Sequence, residues 1–181
     1  MLQPLSWQDK PALIEHLFPV QKISAESFKE QMAVHGKTLT ALGSYWKGRK
    51  PLILNKACIL GTLLPVSDDL LKDLEIFEML MGMDKASLEK RLEFKNDKAS
   101  RFFLSQQYDV EYDAPYNDWI RAACRPEECG DELFSHIWAK VTAHLGTSAF
   151  SFSQLIEQMG IARFGHRPRV ADVFSGSGQI P

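Results

Sequence analysis

Three groups of residues have the types and spacing that chemistry needs. The first is near the end of the chain. Val170-Ala171-Asp172-Val173-Phe174 is a short apolar run that reads as a strand, and Ser175-Gly176-Ser177-Gly178-Gln179-Ile180-Pro181 follows at once. Two glycines spaced Gly-x-Gly after a strand allow a tight turn with positive φ, and without Cβ atoms a ligand can lie against the main chain. The N–H groups opening a following helix would then face a negatively charged group. That is how open α/β sheets hold nucleotide cofactors at the carboxyl ends of their strands. The other reading of these residues is a flexible Ser-Gly tail. The second group is basic: Lys47, Arg49 and Lys50 beside Trp46, with Lys37 and Lys56 nearby. Lysine and arginine neutralise phosphates, and an indole can stack on an unpaired base. The alternative is a solvated loop before a buried helix, with Trp46 in the core. The third is Cys124-x4-Cys129-x6-His136. It has zinc-ligand types but neither the usual two-residue spacing nor a second pair, so no metal is expected. Cys58 lies in an apolar stretch and reads as inert packing. No Gly-x-Ser-x-Gly elbow and no Gly-Lys-Ser/Thr phosphate loop occurs.

The elements that would position these groups are mostly helical. Ser24 is expected to cap a helix through Phe28 and Met32, with Gly36 to end it. Pro51 suits the first turn of the next helix, whose residues from Leu52 to Leu64 are apolar on most sides and hence buried, with Pro65 as its stop. Ser67-Asp68-Asp69 caps a helix striped by Leu70, Leu74, Phe77 and Leu80, and Gly82 ends it. Asp84 caps a shorter one through Leu88 and Leu92. Residues 95–113 are ambiguous, and Arg101 to Leu104 fits strand or helix. Asp113-Ala114-Pro115 starts a helix reaching Trp119, Asp131 opens one running to Gly146, and Ser153 caps a last one ending at Gly160. The expected class is mainly α: a helical N-terminal region, then the first strand and glycine turn of a truncated Rossmann-like α/β domain. The expected segments are 1–66, a helical and partly acidic 67–165, and 166–181.

The chain has 181 residues, 45% of them hydrophobic and 24% charged, which suits one globular core. The net charge of −2 excludes a generally basic nucleic-acid coat, but it is uneven. Residues 1–56 carry +4, residues 67–132 carry −8, and residues 133–181 carry +2. A polyanion should therefore meet the first or last part and avoid the middle. Three cysteines, an odd number, imply no disulfide framework and fit a reducing cytosol. No apolar run approaches a membrane span, and Met1-Leu2-Gln3-Pro4 does not open a secretory signal, so a cytoplasmic location is expected.

Asp172-x-Phe174-x-Gly176-x-Gly178-x-x-Pro181 resembles the S-adenosylmethionine-binding motif, Phe-x-Gly-x-Gly, of amino-methylating DNA methyltransferases. Ile180-Pro181 looks like the subset of large adenine-specific enzymes that read Gly-Gly-Ser-Ile-Pro there. Upstream, Leu13-Ile14-Glu15 to Pro19, Ile23 to Ser27 and Tyr45 to Leu52 are similar to the domain of unknown function that precedes the catalytic domain in those enzymes. Its last segment typically reads Leu-Trp-Trp-Ala-Arg-Arg-Pro-Leu; Trp46, Arg49, Pro51 and Leu52 match, while Lys47 and Lys50 replace the second tryptophan and second arginine. Together the matches cover about residues 11–65 and 168–181. The resemblance implies the N-terminal part of an N6-adenine-specific DNA methyltransferase in a restriction–modification or phage-defence setting, with DNA as partner. It implies S-adenosylmethionine as cofactor, held by Asp172, Phe174, Ser175, Gly176, Ser177 and Gly178. The family's catalytic Asp/Asn-Pro-Pro-Tyr/Phe loop, which receives the flipped base, is not among the 181 residues. Asp113-Ala114-Pro115-Tyr116 comes nearest, lacks the first proline and reads as a helix cap. The chain alone is therefore expected not to methylate DNA, and to need the missing catalytic portion as a partner.

Overall fold

The computed structural model describes residues 2–35, 51–108, 114–169 and 171. These residues are mainly helical, and their one β feature is an isolated antiparallel bridge between Ala12 and Pro65. No helix among them is long and apolar enough to cross a membrane.

After a turn-rich start comes α1 (Leu13–His16), then α2 (Val20–His35). The expected cap, Ser24, lies inside α2. The start is set earlier, by Pro19, whose carbonyl receives the Ile23 N–H and whose fixed φ suits a helix entrance. The next helix, α3 (Leu52–Leu63), is the buried one anticipated from its composition: Ile53, Ala57, Leu60, Gly61 and Leu63 are buried. It packs against α1, against α2, against α4 (Leu70–Met81) and against the last helix, α10 (Phe152–Phe164). Asp69 caps α4 by accepting the Lys72 N–H, and Gly82 closes it at φ +69°. Ser67 of the expected cap instead donates its N–H and Oγ to the buried Asp73, which also lies 2.7 Å from His144 Nε2.

Asp84 caps α5 (Lys85–Lys95) as expected. The ambiguous stretch resolves as α6 (Lys98–Gln107), with Asp97 accepting the Ala99 N–H at its start. Next come α7 (Tyr116–Ala122) and the single turn α8 (Pro126–Cys129). The helix expected from Asp131 is broken: Asp131–Phe134 is a 3-10 turn, and α9 (Trp138–Leu145) begins only after it, ending at Gly146 as anticipated. α10 is capped by Ser151, not Ser153, and runs past Gly160 to Gly165. Gly160 is a glycine for packing, because a Cβ there would lie 2.2 Å from Pro168 Cδ. The chain turns back after Gly165 and lays Pro168 across that point.

One apolar cluster draws on Trp7, Leu13, Ile23, α3, α4, the 3-10 turn, α9 and α10. A second gathers Leu88, Leu92, Leu104, Trp119, Ile120, Ala122 and Ala123. Tyr116 borders both. The turn-rich segment before α1 is stitched to α10: Leu5 and Trp7 donate their N–H groups to the carbonyls of Ile161 and Ala162. Ala162 lies in the last turn of α10, whose carbonyls lack partners within the helix, whereas the Ile161 carbonyl also accepts the Gly165 N–H at 2.9 Å.

Candidate functional site

Trp46, Lys47, Arg49 and Lys50 lie outside the described residues. So do Asp172, Phe174, Ser175, Gly176, Ser177 and Gly178, the expected strand from Val170 to Phe174, and Asp113. What the structure defines is the seat from which the basic segment springs. Residues 36–50 join the end of α2 to the start of α3. The α3 entrance is held by Glu30, a buried α2 side chain whose carboxylate accepts the Leu52 N–H at 3.0 Å and the Ile53 N–H at 3.2 Å. Pro51 precedes them and brings no N–H of its own. A carboxylate here satisfies two orphan donors and the positive end of the helix together.

Of the basic group, Lys56 is the member within the described residues. One turn into α3, its amine sits 4.5 Å from the Phe134 ring centre and 4.3 Å from that of Phe152, a cation held on two aromatic faces. It lines a cavity of about 340 Å³ with Leu52, Pro126, Glu127, Gly130 and Asp131. Burial pushes its pKa down to about 8, against the pull of the Glu127 and Asp131 carboxylates. Trp138 packs edge-on against Phe152, their ring centres 5.5 Å apart.

The most polar assembly lies at the seam between the two apolar clusters. Arg91 of α5 is wholly buried. Its guanidinium donates to both carboxylate oxygens of Glu26 on α2, at 2.7 and 3.0 Å, and to the carbonyls of Gly82, at 2.9 Å, and Cys124, at 2.8 Å. Tyr116 Oη donates to the same carboxylate at 2.8 Å. Burial alone would lower the Arg91 pKa; the Glu26 carboxylate outweighs it, so the group is held charged. Burial and that same carboxylate push the Tyr116 phenol far above its ordinary range. Nearby, Lys29 donates to the carbonyls of Ile120 and Ala123 at the end of α7, and burial lowers its pKa to about 8. These hydrogen bonds of Arg91, Tyr116 and Lys29 all run to groups of the fold itself. The assembly ties α2, α5 and α7 together, which is a structural role.

Cys124 and Cys129 are in contact, their Sγ atoms 2.9 Å apart, whereas Cys58 stands alone and half-buried on α3. His136 does not join the pair. It lies 3.4 Å from Asp84 Oδ2, with Lys90 Nζ 3.2 Å from its Nδ1. Among the described residues no three His, Cys, Asp or Glu side chains gather in a metal-binding group. The thiol contact was not expected, because spacing alone does not bring residues 124 and 129 together. The one sequence sign was Pro126, which opens a helical turn between them.

A family model described as a protein of unknown function (DUF1156) matches residues 17–93, somewhat under half of the chain. The matched span runs from the end of α1 through most of α5, and so takes in Glu26, Glu30, Lys56, Arg91 and the basic segment. No curated protein and no solved structure matches the chain.

Proposed function

We propose that these residues form the N-terminal part of an S-adenosylmethionine-dependent DNA methyltransferase that modifies N6 of adenine, in a restriction–modification or phage-defence setting. The observation that carries this reading is the order of two motifs along one chain. Trp46-x-x-Arg49-x-Pro51-Leu52 comes first, and Asp172-x-Phe174-x-Gly176-x-Gly178-x-x-Pro181 follows. Each has a physical role. Arg49, Lys47 and Lys50 supply positive charge for phosphates in the part of the chain with a basic balance, away from the acidic middle. They precede a helix entrance that Glu30 holds by two hydrogen bonds. Trp46 offers a stacking surface for an unpaired base. At the other end the paired glycines let a cofactor approach the backbone, Phe174 packs beside it, and Asp172 receives its amino group. Methyl transfer itself falls to an Asp/Asn-Pro-Pro-Tyr/Phe loop outside these 181 residues.

The test has two arms. Binding of a labelled DNA duplex is followed by anisotropy across a salt series, for the chain and for Arg49→Ala/Lys50→Ala. The double variant should bind more weakly and lower the log–log salt slope by about 2, close to one for each phosphate no longer neutralised. Binding of S-adenosylmethionine is measured by calorimetry on the complete product of the gene, and Gly178→Val should abolish it. Salt-dependent DNA binding with no cofactor binding would leave a helical DNA-binding module in place of an enzyme. An unchanged salt slope would remove the basic segment from the DNA interface.

A further inference from the structure

We propose that Cys124 and Cys129 form a reversible intrachain disulfide, making the α7–α8 connection a thiol–disulfide exchange site for low-molecular-weight disulfides of the glutathione type. The two sulfurs are 2.9 Å apart across a single helical turn. The backbone on both sides holds them there. The Cys124 N–H donates to the Arg91 carbonyl at 3.2 Å, and its own carbonyl accepts Arg91 Nε at 2.8 Å. Arg125, between them, is pinned to Glu128 by its backbone N–H at 2.8 Å and by its guanidinium at 2.9 Å. The sulfurs are thus held close enough that closing the remaining gap to a bond of about 2.0 Å is a shift of about 1 Å.

The two thiols differ in access, and this assigns their roles. Cys124 is buried. Cys129 is half-buried and lines a cleft of about 370 Å³ with Lys90, Glu93, Phe94, Glu132 and Ser135. Cys129 is therefore the sulfur that a small disulfide reaches. Its thiolate attacks one sulfur of R–S–S–R, the Cys129–S bond to that sulfur forms, the R–S–S–R bond breaks, and one R–S⁻ leaves. The Cys124 thiolate then attacks Cys129 Sγ, the internal bond forms, and the second R–S⁻ leaves. Two protein thiols are oxidised, one small disulfide is reduced to two thiols, and the two thiol protons pass to the departing thiolates or to water. Burial and the Cys124 thiol hold the Cys129 pKa up at about 12, so exchange is slow near neutrality and quickens as pH rises. The bond would clamp a turn that also carries Pro126 and Glu127 of the Lys56 cavity wall.

The experiment uses the whole chain, first reduced and then incubated with excess oxidised glutathione. Thiols are counted in denaturant, and tryptic peptides are mapped by mass. The expected result is a fall from three titratable thiols to one, with a Cys124–Cys129 linked peptide and Cys58 still free. In Cys124→Ser the resolving thiol is absent, so glutathione should remain on Cys129. Cys129→Ser should take up no glutathione at position 124. Circular dichroism before treatment verifies that both variants are folded; if either is not, the unsubstituted chain decides alone. Three titratable thiols after oxidation, or glutathione retained on Cys129 of the unsubstituted chain, would overturn the assignment.

Discussion

Removing Arg91 tests most directly what joins the two apolar clusters. In Arg91→Met the replacement fills similar length in a site with no solvent exposure but carries no donor. The Glu26 carboxylate, 2% exposed, would keep only the Tyr116 hydroxyl, and the Gly82 and Cys124 carbonyls would each be deprived of their guanidinium donor. Breaking a buried pair by removing one member costs about 3–5 kcal/mol, because a charge is stranded out of water. For a chain of this size that corresponds to a fall in Tm of about 6–20 °C, at about 2–4 °C per kcal/mol. It is also a large share of the total stability of a domain, about 5–15 kcal/mol. Glu26→Leu alone should cost a similar amount by stranding the arginine. The double variant Glu26→Leu/Arg91→Met strands no charge and should recover much of the loss, giving a coupling of about 2–3 kcal/mol in a double-mutant cycle. Urea titrations followed by far-ultraviolet circular dichroism measure all four proteins. Additive losses, with the double variant the least stable, would refute the claim that the pair acts as one desolvated unit.

Two further outcomes follow from particular contacts. Gly160→Ala places a Cβ 2.2 Å from Pro168 Cδ and 2.9 Å from the Pro168 nitrogen, so the returning chain must move. Overpacking of about 1–3 kcal/mol exceeds the roughly 1 kcal/mol that alanine gains in helix propensity. The variant should therefore be slightly less stable and cleaved faster by trypsin after Arg169, and an unchanged cleavage rate would reject the contact. The second outcome concerns pH. Lys29 and Lys56 each fall from 10.5 to about 8 on folding, so between those values the unfolded chain binds more protons and stability rises with pH. Below about pH 8 both states are protonated and the contribution is flat. From pH 8 to 9 each lysine should add about 1 kcal/mol, and Lys29→Met/Lys56→Met should lose that rise. Urea midpoints at the two pH values measure it, and a rise retained in the double variant would assign the titration elsewhere.

Much of the helical layout was legible because its punctuation is local. Asp69, Asp84, Gly82 and Gly146 act where their types suggest, since a cap needs only its own turn. The buried character of α3 was legible from a run with no polar face. The misjudged ends share one cause: a local signal yielded to a distant contact or to a neighbouring cap. Gly160 looked like a stop and is instead the landing place for Pro168, eight residues on. Ser24 looked like a cap, but Pro19 had already started the helix. Among candidate sites, charge clustering grouped Lys56 with Lys47, Arg49 and Lys50. Only the fold could bring the rings of Phe134 and Phe152, some eighty and ninety-odd positions away, onto its amine. The Arg91–Glu26 pair was likewise not legible, because nothing in either helix reveals that the other will face it.

The stitching of Leu5 and Trp7 to the last turn of α10 sets an order of events during synthesis. Trp7 leaves the ribosome well before Ala162, yet it is the Ala162 carbonyl that receives its N–H. Its place in the core, beside Met159 and Ala162, does not exist until that helix has emerged. For most of translation the nascent chain must carry an indole with nowhere to bury it, and the loop closed at the end spans some 150 residues. Contacts of such long range are slow to form and leave apolar surface open to association meanwhile. The helical body is therefore completed late, and a ribosome that pauses before Ala162 holds out a chain whose Trp7 segment has no place to dock.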